Sequence, residues 1–163
     1  MATTVLVTEA ARASEDFPAT EGSSVMLVMV ESAVDMDAEA AVKAVQAQGV
    51  DHFHIMIANA GVSNVFACVK DIDLKDLREM FEVNTGGTVS LFTATRLMLK
   101  KDGRPQGARG RPGSSDTDMG NAGAKFFGIE QAVVPVKVGV NGIMKHIAEV
   151  TREKTLGRLL SYN

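Results

Sequence analysis

The sequence has few of the residues that mark secreted, metal-binding or membrane proteins. Cys68 is the one cysteine among 163 residues, so an intrachain disulfide and a multi-cysteine metal site are excluded. A lone thiol suits a reducing compartment, and we expect a cytoplasmic protein. The longest apolar run, Val25 to Val30, is far shorter than the ~20 residues of a membrane span. The start of the chain shows neither a basic leader nor a long apolar stretch, so we expect no secretory signal.

Positive charge is also scarce. Seventeen basic and twenty acidic residues give a formal net charge of −3. A chain of this balance lacks the clustered positive surface that attracts phosphates, which disfavours a nucleic-acid partner. The segment Arg109-Gly110-Arg111-Pro112 is similar to hooks that enter the minor groove of DNA. Because it occurs once in an acidic chain, we interpret it as a solvated loop.

Length and pattern indicate one α/β domain over residues 1–163. The hydrophobic fraction of 45% and the charged fraction of 23% are those of a globular protein. Apolar runs without alternation, typical of strands covered on both faces, occur at Val5–Val7, Val25–Val30 and Phe53–Ala58. A further strand is predicted within Gly157–Tyr162.

Helices are predicted from apolar residues three or four positions apart. The first begins at Asp35 or Asp37 and ends at Gly49. The longest runs from a cap at Asp73 to about Lys101, with an irregularity at Gly86-Gly87 because glycine weakens a helix. The last covers about Val136 to Val150, with its apolar face formed by Val136, Val140, Ile143, Met144 and Ile147. Residues 101–118 are rich in turn dipeptides and are predicted to form a flexible loop.

Several segments, in order, resemble the short-chain dehydrogenase/reductase family, and in particular the fungal ketoreductases of polyketide pathways. Asn59-Ala60-Gly61 follows directly on a predicted strand. Val83-Asn84-Thr85 lies on the predicted long helix, and its asparagine comes 25 residues after Asn59. The segments that carry the resemblance are Thr4–Thr8, Asp51–Gly61, Val83–Thr85, Pro112–Gly120, Thr151–Thr155 and Leu160–Tyr162.

The resemblance implies a Rossmann-like fold, but whole blocks of the family pattern are missing. The family's sheet has the strand order three-two-one-four-five-six-seven. Loss of strands two, five and six would leave a short parallel sheet in the order three-one-four-seven, within a reduced three-layer domain with helices on both faces. Loss of complete blocks is also what exon skipping or a faulty gene model produces.

The missing blocks would have carried the family's chemistry. The opening strand runs into Glu9-Ala10-Ala11-Arg12-Ala13, where the family has a glycine-rich turn for the cofactor pyrophosphate. The family's Ser and Tyr-x-x-x-Lys, in which the tyrosine gives a proton to the carbonyl, should lie between Gln106 and Arg111. The one tyrosine here is Tyr162, so the proton donor for ketone reduction is absent.

The remaining family positions define a remnant site. By resemblance, Asn59, Ala60 and Gly61 would line the adenosine side of a cofactor, or else form a turn that stabilises the sheet. Pro112, Gly113 and Thr117 resemble the segment that meets the nicotinamide and pyrophosphate, or else belong to a flexible loop. Glu31 occupies the place of a family aspartate that touches adenine, or a solvated strand end.

Asn84 is the candidate catalytic residue. In the family this asparagine bonds the kinked helix backbone and holds a water of the proton relay, and a buried amide on an apolar stripe must find partners. Because the relay is absent, we favour the structural role. His52 and His54 lie on one face of a strand, but no third metal ligand is suggested, so no metal site is predicted.

These observations favour a non-redox member of the family with no cofactor or with weak NADP(H) binding. Such a pseudoenzyme could form a homodimer, or a heterodimer with a full-length relative, through the helix over residues 73–101, as the family does. An alternative is a cofactor-independent isomerase or cyclase for a small aromatic ketone or polyketide, with polar residues Asn84, Asn59, Glu9 and His54. A third is residual NAD(P)H-dependent ketone reduction. No membrane partner is expected.

Overall fold

The chain is described as two compact units in a computed structural model. The described residues are 4–8, 21, 24, 26–100, 109–110, 116–149 and 159–160. Residues 1–64 and 73–103 make up the first unit, and residues 65–72 and 104–163 the second. The single domain expected over residues 1–163 stays a prediction.

The first unit contains a parallel pair of strands, β1 (Val5–Thr8) and β2 (Ile55–Ala58), with Val5 opposite Ile55. Parallel neighbours need a crossover connection, since a tight turn would reverse the chain direction. The pair confirms the α/β class. It corresponds to strands one and four, which are neighbours in the family's strand order.

Helix α1 (Asp37–Ala47) lies in the connection between these strands. Asp37 is the first helical residue, and the predicted capping by Asp35 or Asp37 is wrong: Met36 occupies the N-cap without a side-chain hydrogen bond. The carboxylate of Asp37 instead accepts from the Glu31 backbone N–H at 3.0 Å. The predicted end at Gly49 is confirmed, because this glycine has φ +91°, the left-handed conformation that terminates many helices.

The long helix is divided by a π-helical turn. Helix α2 (Leu74–Phe81) begins at Asp73, whose side chain accepts from the Lys75 N–H at 2.7 Å, as predicted for this cap. The π turn spans Glu82–Gly86, and α3 covers Gly87–Lys100. The irregularity predicted at Gly86-Gly87 therefore takes the form of a widened turn that ends at Gly86, and the helix continues.

The core of the first unit lies where α1, α3 and β2 meet. Its most buried apolar side chains are Phe53 and Met98, each 2% exposed, with Val45 and Leu99 beside them. The Phe53 N–H donates to the Met98 carbonyl at 3.3 Å. Apolar side chains from one face of the sheet and from neighbouring segments pack against this cluster: Leu6, Val28, Val42, Val50 and Met56.

The strand predicted over Val25–Val30 is wrong for residues 26–30, which form no strand. Val28 packs against the core, whereas Met29 is 90% exposed and Leu27 is exposed as well. The run is therefore covered on one side only. An apolar run can pack one side chain against the core without forming backbone hydrogen bonds to a neighbouring strand. Periodicity alone does not distinguish such a segment from a buried strand.

The predicted order three-one-four-seven is confirmed only for its central pair. In the described part of the chain, β1 pairs with β2, and β3 (Arg109–Gly110) pairs with β4 (Leu159–Leu160) in a separate two-stranded sheet. Within the first unit, α3 packs against both α1 and β2.

The second unit contains α4 (Asp118–Phe126) and α5 (Val136–Glu149). Helix α5 agrees with the helix predicted from Val136, whereas α4 was not predicted, because Gly and Ala weaken its periodic signal. Most of the loop predicted over residues 101–118 lies outside the described residues, except that β3 is a short strand. In the residues that the structure describes, no helix combines the length and apolarity needed to cross a bilayer.

Candidate functional site

The carboxyl ends of β1 and β2 are joined by the side chain of Thr8. Its hydroxyl oxygen accepts from the backbone N–H of Asn59 at 3.2 Å and of Ala60 at 3.4 Å. Thr8 closes β1, and Asn59 follows the last residue of β2. In open parallel sheets, ligands bind at this end of the strands. Here the first two residues of the Asn-Ala-Gly turn are held against β1 by a hydroxyl.

The π turn holds the next part of the same turn through Asn84. The Asn84 carboxamide accepts from the Val62 N–H through Oδ1 and donates to the Val62 carbonyl through Nδ2, both at 2.8 Å. A β carbon built on Gly61 would lie 3.1 Å from the Asn84 Oδ1. The Asn84 side chain therefore pairs with a backbone peptide as a second strand would. The sequence analysis expected a buried amide bonded to the kinked helix backbone; the Asn84 side chain is instead exposed, and its partner is the Val62 peptide.

The start of α3 lies against Ser32 because Gly87 has no side chain. A β carbon at Gly87 would lie 2.7 Å from the Ser32 β carbon and 3.0 Å from its carbonyl oxygen. Ser32 belongs to the turn after residues 26–30, where the Val34 N–H donates to the Glu31 carbonyl at 3.0 Å. Gly87 thus permits the close approach of this turn.

Acidic groups gather where α1 begins. Asp37 and Glu39 occupy its first turn, and the Glu31 carboxylate accepts from the Ala33 N–H at 3.4 Å. A helix N-terminus attracts anions through its free N–H groups. The Asp37 and Glu31 carboxylates accept from backbone N–H groups of the preceding turn, and their negative charge would repel a phosphate.

The backbone donors of Asn59, Ala60 and Val62, at the carboxyl edge of the sheet, are already used within the chain. Anion sites on protein backbone need free N–H groups, whereas the N–H groups of Asn59, Ala60 and Val62 already donate to side chains. The sequence also places a carboxylate, Glu9, directly after β1. The structure of residue 9 lies outside the described residues.

Asp116 organises the entry to α4 in the second unit. Its carboxylate accepts from the Asn121 side chain at 2.9 Å and from the Gln131 side chain at 2.8 Å. Hydrogen bonds from Gln131, and to a smaller extent from Asn121, favour the charged form of the carboxyl group. The pKa of Asp116 is therefore lowered from its ordinary value. Thr117 caps the helix by accepting from the Gly120 N–H at 3.1 Å. The loop expected at Thr117 is therefore an ordered helix start.

Three phenylalanines form an aromatic cluster in the second unit. The Phe66 and Phe126 rings are 6.4 Å apart, and Phe126 meets Phe127 edge to face at 5.1 Å. A β carbon on Gly123 would lie 3.0 Å from the Phe66 ring, so this glycine lets the ring rest on α4. The cluster is partly exposed, with Phe127 the most open of the three.

The two histidines beside β2 are engaged locally. The Nδ1 of His54 accepts from the Thr4 N–H at 2.9 Å, which places any proton of the neutral ring on Nε2. His52 pairs with the neighbouring Asp51 carboxylate. Groups of three or more His, Cys, Asp and Glu side chains able to hold a metal ion are absent from the described residues.

The predicted site residues divide between the units. Asn59, Ala60, Gly61 and Asn84 come together in the first unit through the contacts above, and Thr117 caps α4 in the second. Pro112, Gly113 and Glu9 lie outside the described residues. The sequence analysis missed Thr8 and Asp116 as positioning residues. A signal existed for both: a Thr at a strand end, and an Asp immediately before a capping Thr.

The sequence is similar to a known protein family and to individual fungal proteins. The sequence profile described as short chain dehydrogenase matches residues 2–108. The norsolorinic acid ketoreductase nor1 of Dothistroma septosporum is 26% identical over 204 residues, covering 94% of this chain and 76% of the relative. The short-chain dehydrogenase srdF of Neurospora crassa is 41% identical over 87 residues, covering 53% of this chain and 34% of the relative.

A solved structure shares the fold. The NADPH-bound carbonyl reductase from chicken fatty liver superposes with a TM-score of 0.60 at 17% identity, covering 82% of this chain and 70% of that chain. At this identity the likeness concerns the fold alone.

The alignment with the Dothistroma relative shows that internal residues are missing here. Ninety-four per cent of 163 residues is about 153, whereas the alignment extends over 204 positions. About fifty positions of the aligned region therefore have no counterpart in this chain. This is the size of a few strand-helix blocks, because a complete βαβ unit takes roughly 30 residues or more.

Proposed function

Because the chain belongs to the short-chain dehydrogenase/reductase family and is related to fungal polyketide ketoreductases, we propose that it is a non-redox member that acts by binding a protein partner. The observation that carries the proposal is the missing proton donor. Tyr162, the one tyrosine, follows the Pro112–Gly120 segment, whereas the family's catalytic tyrosine precedes it. Reduction of a ketone needs a proton for the oxygen as well as a hydride for the carbon.

The cofactor side of the site supports the same proposal. The N–H groups of Asn59 and Ala60 donate to Thr8 and that of Val62 donates to Asn84. Acidic side chains occupy the first turn of α1. With no glycine-rich turn after β1 to supply other donors, NADP(H) binds weakly or not at all. We derive no reaction step through this cofactor.

The partner is a second family member, bound through the long helix. On α2 and α3 the exposed large apolar side chains include Leu77, Phe81, Val89 and Phe92. Val89 comes eight residues after Phe81, and the π turn lies between them. The extra residue of that turn keeps Phe81 and Val89 near the same face of the helix. An apolar stripe of this kind on a helix is typical of an interaction surface. The occupant is a second copy or a full-length ketoreductase, whose substrate would be an aromatic ketone or polyketide.

Calorimetric titration of the purified chain with NADPH and NADH tests the non-redox proposal. We expect no heat of binding at micromolar ligand and no consumption of NADPH in the presence of an aromatic ketone. Micromolar binding accompanied by equal amounts of oxidised cofactor and alcohol would refute the proposal and establish residual ketoreductase activity.

A substitution on the long helix tests the partner surface. Phe81→Asp places a charge in the middle of the apolar stripe and should abolish pairing, because an unpaired charge is not buried in an interface. Met29→Asp changes an apolar residue outside the stripe that is even more exposed than Phe81 and serves as the control. Light scattering of each variant, alone and mixed with a full-length fungal ketoreductase, gives the readout. Equal behaviour of the two variants contradicts the assignment.

A further inference from the structure

The segment of residues 65–72 belongs to the second unit, although the residues on both sides of it belong to the first. We call this segment the strap. The chain leaves the first unit after Asn64 and returns to it at Asp73, and the structure describes every residue of this excursion. The strap is therefore a place where the order of one unit can act on the other through the chain itself.

Side chains of α2 and the π turn hold the first unit's residues at both ends of the strap. Before the strap, the Asn84 carboxamide bonds both backbone groups of Val62 at 2.8 Å. The Asn64 side chain donates to the Glu79 carboxylate at 2.9 Å. After the strap, Asp73 caps α2 through its side chain. Both ends are therefore fixed to the same long helix.

Within the second unit, Phe66 anchors the strap on α4. A β carbon on Gly123 would lie 3.0 Å from the Phe66 ring, so the ring approaches the helix backbone because this position has no side chain. The same ring lies 6.4 Å from that of Phe126. Phe66 is 36% exposed, so most of its surface is covered. The strap thus carries one aromatic anchor whose seat is built from α4.

The chain between the anchors has little slack. The two steps from Asn64 to Phe66 span at most about 7 Å when fully extended. On the return side, the 3-10 turn over Val69–Asp71 shortens the strap, and the Asp71 N–H donates to the Cys68 carbonyl at 2.8 Å. A displacement of Phe66 is therefore passed directly to Asn64.

We propose that the strap couples α4 to the carboxyl edge of the first unit's sheet, with Phe66 as a positioning residue. Val62 directly follows the Asn-Ala-Gly turn, so loss of the Phe66 anchor frees the Val62 peptide from Asn84 and loosens that edge. Segments of a protein open locally at a lower free energy than the whole protein unfolds. The coupling uses neither a cofactor nor the proposed partner surface, so its test is independent of the proposed function.

Amide hydrogen exchange of the full chain, followed by NMR, tests the coupling. Phe66→Ala should accelerate exchange of the Val62 N–H by roughly tenfold, while the Phe53 N–H in the core of the first unit keeps its rate. Gly123→Leu should accelerate Val62 exchange in the same way, because its side chain displaces the Phe66 ring from α4. Leucine is a better helix former than glycine, so this second variant does not weaken α4 itself.

Phe127→Ala is the matched control. It removes a ring of the same aromatic cluster, 5.1 Å from that of Phe126, but Phe127 lies outside the strap, so Val62 exchange should be unchanged. The inference is overturned if Phe66→Ala leaves the Val62 rate as it is in the unchanged protein, or if Phe127→Ala raises it equally. Equal acceleration of the Phe53 and Val62 amides would indicate global unfolding and would also overturn it.

Discussion

Replacement of Asn84 by alanine removes both hydrogen bonds that hold Val62 to the π turn. Each bond is 2.8 Å long and an ordinary intramolecular hydrogen bond contributes about 0.5–1.5 kcal/mol. Both are solvent-exposed, so we take the lower half of that range and expect a loss of about 1–2 kcal/mol. Alanine is a better helix former than asparagine by roughly 0.5 kcal/mol, which offsets part of the loss.

The expected net effect of Asn84→Ala is a decrease of about 1 kcal/mol in the free energy of unfolding, or about 2–4 °C in Tm for a chain of this size. Urea denaturation followed by circular dichroism measures it. Asn84→Asp should be at least as damaging, since one carboxylate oxygen would face the Val62 carbonyl oxygen where the amide group now donates. Its loss has no offset from helix propensity.

Asn64→Ala is the matched control. The Asn64 side chain makes a single exposed hydrogen bond, to Glu79 at 2.9 Å, and its loss should stay within about 0.5 kcal/mol. The structural role assigned to Asn84 is refuted if Asn84→Ala is as stable as Asn64→Ala, or if Asn84→Asp is as stable as the unchanged protein.

Two further predictions concern a close contact and an ionisable group. Gly87→Ala should destabilise the first unit by about 1–3 kcal/mol, because its β carbon would meet backbone and Cβ atoms of Ser32. Gly86→Ala would meet only the flexible end of a glutamate, so its free energy of unfolding should be unchanged or higher by up to ~1 kcal/mol. Urea midpoints that rank the two variants in the opposite order would contradict the contact. The lowered pKa of Asp116 stabilises the second unit above the group's ordinary value of 3.8, and this contribution is lost as the pH falls through the lower, folded-state pKa. Asp116→Asn should therefore lower the denaturation midpoint at pH 7, and this effect should shrink as the pH falls through the lowered pKa of Asp116; a difference that stays the same from neutral to acid pH would exclude the ionised carboxylate as the cause.

Local signals predicted the elements that local chemistry stabilises. Asp73 offers a capping carboxylate and Gly49 a left-handed helix end, and both act as the sequence indicated. The parallel pairing of β1 with β2 followed instead from the family's strand order, in which strands one and four are neighbours. For the two helix ends, a few neighbouring residues carry the physical cause, so one sequence was sufficient to predict them.

Features that depend on distant partners could not be predicted in this way. The Val25–Val30 run has the composition of a buried strand, yet a strand needs a neighbour to pair with, and periodicity does not report whether one exists. Three residues of α5 likewise have the spacing of a core face while they are about half exposed: Val136, Val140 and Met144. For the site, resemblance identified Asn59 and Asn84, but the hydroxyl of Thr8 that closes the turn becomes visible only when β1 and β2 are adjacent.

In the proposed non-redox member, the loss of chemistry and the exposed apolar side chains of β1 share one physical origin. In a doubly wound fold each strand-helix block adds both a strand edge and a covering layer, and the loops between them carry the catalytic groups. Removing such blocks takes away the proton donor and, in the same step, leaves apolar surface without its layer. About 25 cal/mol is lost for each square ångström of apolar surface left in water, so a chain reduced in this way gains stability from any partner that restores the layer. A reduced family member is therefore expected to lose catalysis and to acquire a binding surface at the same time. On this reasoning, the absent tyrosine and the exposed Val5 and Val7 are two results of one change.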